Sequence, residues 1–197
     1  MYSVKEIFYS IQGEGYWSGK PAVFCRFVGC NLWSGIEKDR TSAECKICDT
    51  DFLGGFKVDC KMLIEMIKHS ANKCKFVVFT GGEPFLQLDE YLVKSLQNEG
   101  FFVAVETNGT VSPRCIPNWI TLSPKTSKIV LTSADEVKLL WPPLFDYDEI
   151  CVDSCKNYLQ PVWDKDYDYN LKCAVDFVKN NPDFMLSLQT HKLIGVE

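Results

Sequence analysis

Two short apolar runs set the fold class of this chain: Phe76-Val77-Val78-Phe79 and Phe101-Phe102-Val103-Ala104-Val105 have no polar residue at alternate positions. A half-exposed strand alternates apolar with polar residues, so a strand without alternation needs cover on both faces. Helical periodicity separates such runs. From Val58 onward, Leu63, Met66 and Ile67 fall on one side of a helix, with Lys61, Glu65 and Lys68 on the other. A second amphipathic segment turns Leu88, Tyr91, Leu92 and Leu96 inward and stops at Gly100, a residue suited to ending a helix. Further strands are expected at Val4 to Ile11, Ala22 to Val28, Trp119 to Leu122, Val137 to Leu140, Tyr158 to Gln160 and Phe184 to Leu188, with a last helix near Leu171 to Lys179. Repeated strand and helix give a parallel sheet, open or curled into a barrel. A full eight-unit barrel typically takes about 250 residues. The 197 residues here predict one domain, a partial parallel β/α barrel of about six units, with its chemistry at the carboxyl ends of the strands.

A net charge of -5 argues against a broad nucleic-acid or anionic-membrane footprint and points to a small-molecule partner. No basic stretch leads into an apolar segment at the N-terminus, and no apolar run reaches about 18 residues. The chain is therefore read as soluble and cytoplasmic, without a membrane or nucleic acid as partner. In that compartment its ten cysteines would serve metal binding, catalysis or packing rather than disulfides.

Residues 29–57 lack periodicity and form a long loop that holds Cys30, Cys45 and Cys48, with fourteen residues and then two between them. Thiolates at i and i+3 can reach one metal centre, and a third can join from a distant point of the loop. Three independent thiols are one reading. Zinc with a fourth ligand such as His69 or His191 is another, although no second short-spaced pair accompanies the first. A cubane cluster on three thiolates would leave one iron open, which suits catalysis. Thr80-Gly81-Gly82-Glu83-Pro84 follows the strand Phe76 to Phe79 directly. Paired glycines let a ligand approach the backbone, and Glu83 can hold an ammonium group. A plain glycine turn before a helix is the alternative.

Together the two motifs resemble the radical S-adenosylmethionine superfamily, in which three cysteines hold a 4Fe–4S cluster and a Gly-Gly-Glu-Pro turn binds the amino group of S-adenosylmethionine. The fourteen-residue first spacing is similar to that of the 7-carboxy-7-deazaguanine synthases. So are six segments in order: Phe8 to Gly15, Phe24 to Phe27 with Cys30 to Gly35, Cys48 to Phe52, Glu106 to Gly109, Ser123 to Lys125, and Leu188 to Lys192.

The resemblance implies ring contraction of 6-carboxy-5,6,7,8-tetrahydropterin to 7-carboxy-7-deazaguanine with loss of ammonia, a step toward 7-deazapurines such as queuosine. By that likeness Cys30, Cys45 and Cys48 hold the cluster and Thr50 a magnesium ion. Ile47, Asp49, Thr80, Gly81, Gly82, Glu83, Asn108, Ser123, Lys125 and Gln160 meet S-adenosylmethionine. Gln12, Glu14, Gly15, Arg26, His191 and the terminal Glu197 meet the pterin. Ile47 stands where the superfamily commonly has an aromatic ring against adenine, so weaker stacking is expected. A homodimer and a flavodoxin electron donor are implied in the same way. Cys25, Cys60, Cys74, Cys115, Cys151, Cys155 and Cys173 match no role and are read as packed or surface thiols. Two rivals are a glycyl-radical-activating enzyme, which would normally show a three-residue first spacing, and a zinc-stabilised binding module without catalysis.

Overall fold

The structure, a computed structural model, describes residues 1–196. Glu197 lies outside the described residues, and with it the expected contact of the terminal carboxylate. In chain order the elements are β1 (Tyr2–Ile11), β2 (Pro21–Phe27), β3 (Phe56–Val58), α1 (Cys60–Ala71), β4 (Phe76–Gly81), α2 (Glu90–Asn98), β5 (Phe102–Thr107) and β6 (Trp119–Leu122). Then come β7 (Ser133–Ala134), β8 (Glu136–Trp141), β9 (Asp153–Ser154), β10 (Asn157–Pro161), α3 (Tyr167–Asn180), β11 (Phe184–Leu186) and α4 (Thr190–Ile194). Nine strands form one sheet in the order β11-β10-β8-β6-β5-β4-β2-β1-β3, while β7 pairs with β9 apart from it. The strands from β2 through β4, β5, β6, β8 and β10 to β11 are all parallel. This is the partial barrel expected from the sequence.

Burial on two faces explains the apolar runs. The outward side chains Val23, Cys25, Phe27, Val77, Phe79, Val103 and Val105 pack with Leu63 and Ile67 of α1 and Leu92, Val93 and Leu96 of α2. Leu122, Val137, Leu139 and Leu159 form a second outer cluster with Ala174 of α3. Inward, Phe24, Phe76, Val78 and Ala104 form a smaller apolar floor, with Trp17 and Trp119 packed against it. Above that floor the inward positions turn polar.

Local signals set the helix limits. Asp59 caps α1 by accepting from the Met62 amide at 2.8 Å, and Asp89 caps α2 by accepting from the Leu92 amide at 3.0 Å. Gly100 follows α2 at φ +81°, a conformation that glycine adopts without strain.

Some expectations are corrected. β1 runs antiparallel to β2, and β3, unforeseen within the long loop, extends the sheet beyond β1. Helices cover only three connections between parallel strands, through α1, α2 and α3; the segments β5 to β6, β6 to β8 and β8 to β10 cross without one. Tyr91 is 70% exposed rather than inward, because α2 buries Val93 beside Leu92 and Leu96. Leu88 is buried but precedes the helix. All ten cysteines are free thiols. Among the described residues no helix is long and apolar enough to cross a membrane.

The sheet's two ends are drawn together past the strands. The Gly15 amide donates to Ser187 Oγ and the Thr190 amide to the Gly13 carbonyl, both at 2.9 Å. These contacts set α4 against the turn that follows β1 and close the barrel's open side.

Phe79 is fully buried and stacks on Phe27 at 5.4 Å. Phe79→Ala should lower the unfolding free energy by about 3–5 kcal/mol, whereas Tyr91→Ala should change it by less than about 0.5 kcal/mol. Urea titration followed by circular dichroism would separate the two.

Candidate active site

The carboxyl ends of the parallel strands open into a cavity of about 500 Å³. Its first wall is the loop that follows β2. The Gly81-Gly82 turn at the end of β4 lies directly on the start of that loop, where any side chain would collide: a Cβ on Gly81 would strike the Phe27 backbone, and one on Gly82 the Gly29 carbonyl. The Glu83 amide fixes the approach by donating to the Gly29 carbonyl at 2.9 Å. Cys30 is thereby set beside the glycine turn. Its sulfur accepts from the Leu32 amide at 3.4 Å, and the Asn108 amide nitrogen lies 4.0 Å away.

The rest of the loop is irregular but built. Arg40 donates from Nε to the Glu37 carboxylate at 2.8 Å and from Nη1 to the carbonyls of Lys46 and Cys48 at 3.0 and 3.1 Å. Its guanidinium sits 4.0 Å over the Trp33 ring. The Leu32 carbonyl accepts from the Cys45 amide at 3.3 Å. Cys30, Cys45 and Cys48 all border the cavity. A hydrogen bond from Cys45 brings the Cys48 thiol down to about 6, while that contact and burial push Cys45 up. Among the described residues no three His, Cys, Asp or Glu side chains converge on one metal-ion point. Tetrahedral zinc needs sulfurs within about 2.3 Å of one centre.

Around these thiols the cavity is bordered by Ile47, Asp49, Thr50, Thr80, Gly81, Gly82, Asn108, Ser123, Lys125 and Gln160. Lys125 is held by its own turn, donating to Ser123 Oγ at 2.7 Å and to the Ser123 carbonyl at 2.9 Å. Burial pulls its ammonium below the usual lysine range. Asp49 pairs with Lys192 of α4 at 2.8 Å, across the mouth.

Gln12, Glu14, Arg26 and His191 border the same cavity, with Arg26 level with Thr80 on the neighbouring strand. Arg26 gives its Nε to Glu6 at 2.7 Å, an ion pair set by the facing register of β1 and β2. Burial would raise Glu14, but the Lys138 ammonium and the Gln189 amide, which donates at 2.8 Å, hold its carboxyl well below the usual range. Burial pulls His191 down, so its imidazole is neutral at neutral pH.

Two residues of the expected set stand behind the cavity lining. Glu83 does not border the cavity: its side chain is fully buried, with Oε1 accepting from the Phe85 amide and Thr107 Oγ1 and Oε2 from the Asn108 amide, at 2.8–3.0 Å. It braces the glycine turn against the end of β5. Gly15 also lies off the cavity, packed on the Glu136 carboxylate.

The chain is 45% identical to a 7-carboxy-7-deazaguanine synthase of Caulobacter vibrioides and 44% identical to one of Burkholderia multivorans, each comparison covering 99% of both chains. The chain belongs to the 7-carboxy-7-deazaguanine synthase family. No family model matches it. The crystal structure of QueE from Escherichia coli superposes with a TM-score of 0.78 at 26% identity, covering 96% of this chain and 94% of that one.

For a member of the synthase family, the sequence reading left out several cavity groups. Glu106 accepts from Gln12 Nε2 at 3.0 Å and from Thr80 Oγ1 at 3.3 Å. Lys138, Gln189 and Trp163 also border the space. Lys138 was legible in principle: a lone charge amid Val137, Leu139 and Leu140 is out of place in a buried strand unless it faces a polar interior.

Arg40→Ala should raise protease cleavage within residues 33–48 by at least about fivefold, the equivalent of about 1 kcal/mol for one of its three lost hydrogen bonds, with little change in the global urea midpoint. Timed proteolysis with mass mapping of the fragments would measure it.

Proposed function

We propose that this chain is a radical S-adenosylmethionine lyase that converts 6-carboxy-5,6,7,8-tetrahydropterin to 7-carboxy-7-deazaguanine and ammonia. The observation that carries this reading is one cavity bordered by three cysteines, a glycine turn and polar side chains at the strand ends, in a chain of this family. When bound, a 4Fe–4S cluster and S-adenosylmethionine supply a one-electron cleavage that yields a 5′-deoxyadenosyl radical able to take hydrogen from the substrate.

Cys30, Cys45 and Cys48 would hold the cluster. Gly81 and Gly82 present bare backbone to the methionine end of the cofactor, and Asn108, Ser123, Lys125 and Gln160 supply polar contacts along it. Asp49 and Thr80 border the same space. Ile47 offers aliphatic packing to the adenine. Glu83 acts at one remove, keeping the turn in place.

On the substrate side, Arg26 keeps its terminal nitrogens for the pterin carboxylate, because Glu6 takes only Nε. Gln12 and Glu14 face the ring's donor edge, and neutral His191 can donate or accept. Thr50 would hold magnesium together with substrate oxygens, because a lone hydroxyl is too few ligands for that ion. A flavodoxin donor, a homodimeric state and a cytoplasmic setting complete the proposal.

Anaerobic turnover with S-adenosylmethionine, reductant, magnesium and the tetrahydropterin, followed by mass spectrometry, tests it. Carboxydeazaguanine and ammonia should form in equal amounts, and Arg26→Gln should raise KM by about tenfold or more through a lost charged hydrogen bond. Release of 5′-deoxyadenosine without carboxydeazaguanine would reject the assigned reaction.

A further inference from the structure

Lys138 is the most deeply buried cation of the cavity. The inward parity of β8 aims it into the barrel, its side chain is 4% exposed, and its ammonium meets the Glu14 carboxylate, itself only 13% exposed. The pair belongs to a connected chain of hydrogen bonds. The Glu14 amide donates to Gln12 Oε1 at 3.1 Å, Gln12 Nε2 donates to Glu106 at 3.0 Å, and Glu106 accepts from Thr80 Oγ1 at 3.3 Å. Gln189 holds the other Glu14 oxygen at 2.8 Å. Glu14 is thus anchored from β8 and from the segment before α4, with lone pairs left toward the cavity.

A buried ion pair is a poor source of stability, because desolvation offsets the attraction. Such a pair is better understood through what it fixes. We propose that Lys138 is a positioning residue that holds Glu14 as a fixed, charged acceptor, giving the site its preference for a ligand edge with adjacent N–H donors. In a pterin that edge carries the 2-amino group and its neighbouring ring N–H; a 2-oxo analogue presents an acceptor there instead. The inference rests on the pterin reading above.

The charged groups around the pair are few. Glu14 faces Lys138 and His191, and Lys138 faces Glu14, Glu106 and Glu136, with Lys125 across the space. Without Lys138 the buried Glu14 carboxyl has no cation beside it and should take up a proton near neutral pH. A neutral carboxyl donates as well as accepts, so it no longer rejects the 2-oxo edge.

Anaerobic calorimetry with two unreactive ligands, 6-carboxypterin and 6-carboxylumazine, tests the inference at pH 5.5 and 7.5. The wild-type protein should prefer the pterin by at least about tenfold at both pH values. In Lys138→Met the preference should collapse at pH 5.5 and partly return at pH 7.5, since a higher pH restores the carboxylate. Titration of His191 is common to both ligands and cancels in the ratio. A merely structural role would weaken both ligands alike at both pH values. The double variant E14Q/K138M removes both charges; it should melt above Lys138→Met and show no preference at either pH. If Lys138→Met does not fold, this variant decides, and a retained tenfold preference overturns the proposal. A folded Lys138→Met with the wild-type preference at both pH values overturns it as well. Failure of the wild-type protein to bind 6-carboxypterin would instead reject the pterin reading.

Discussion

The approach of the Gly81-Gly82 turn to the first residues after β2 is the contact on which the rest of the site depends. Parallel pairing of β2 with β4 brings the two strand ends level, with Arg26 opposite Thr80 and Phe27 opposite Gly81. Only residues without a Cβ let the next backbone segments touch. That contact fixes where Cys30 leaves the sheet, and from there Arg40 and Trp33 fold the long loop back so that Cys45 and Cys48 reach the same wall. Glu83, fully buried, ties the turn to the end of β5 and so carries the alignment to a third strand.

The barrel's interior is divided by height. Near the amino ends of the strands the inward side chains are mostly aromatic or small and fill the space, with Glu136 held among them by Thr121 and the Tyr16 amide. Near the carboxyl ends they are Arg26, Thr80, Glu106, Lys138 and Gln160, which pair with one another or border the cavity. The outward positions of the same strands are mostly apolar, because helices or long crossovers cover them. Stability therefore comes from outside the barrel and from its floor, which leaves the upper interior free to be polar at the strand ends. Contacts of Gly13, Glu14 and Gly15 with the segment from Ser187 to Thr190 close the side that an incomplete barrel leaves open.

Much of this was legible in residue pattern. The doubly buried strands read as unbroken apolar runs, and the cysteine spacing with the glycine turn marked the cavity wall. The antiparallel β1 was not legible, since alternation marks a strand but not its direction. Tyr91 was misplaced because helical spacing alone does not say which edge of an apolar stripe meets the sheet. Glu83 was expected at the ligand by residue type; that its carboxylate also ties the turn to β5 was not legible, because two of its three donors, Thr107 and Asn108, lie more than twenty residues away. Lys138 and Glu106 were missed for the same reason: their partners come from distant strands, and only the fold brings the charges together.

Cys30, Cys45 and Cys48, which border the cavity together, are proposed to hold one polynuclear iron–sulfur centre. Anaerobic reconstitution with iron and sulfide, followed by metal and sulfide analysis, tests it most directly. The wild-type chain should bind about four irons and four sulfides with broad visible absorption, and a Cys30→Ala, Cys45→Ala, Cys48→Ala triple variant should bind almost none. Retention of the cluster by the triple variant, or a colourless wild-type chain holding a single zinc ion, would overturn that assignment.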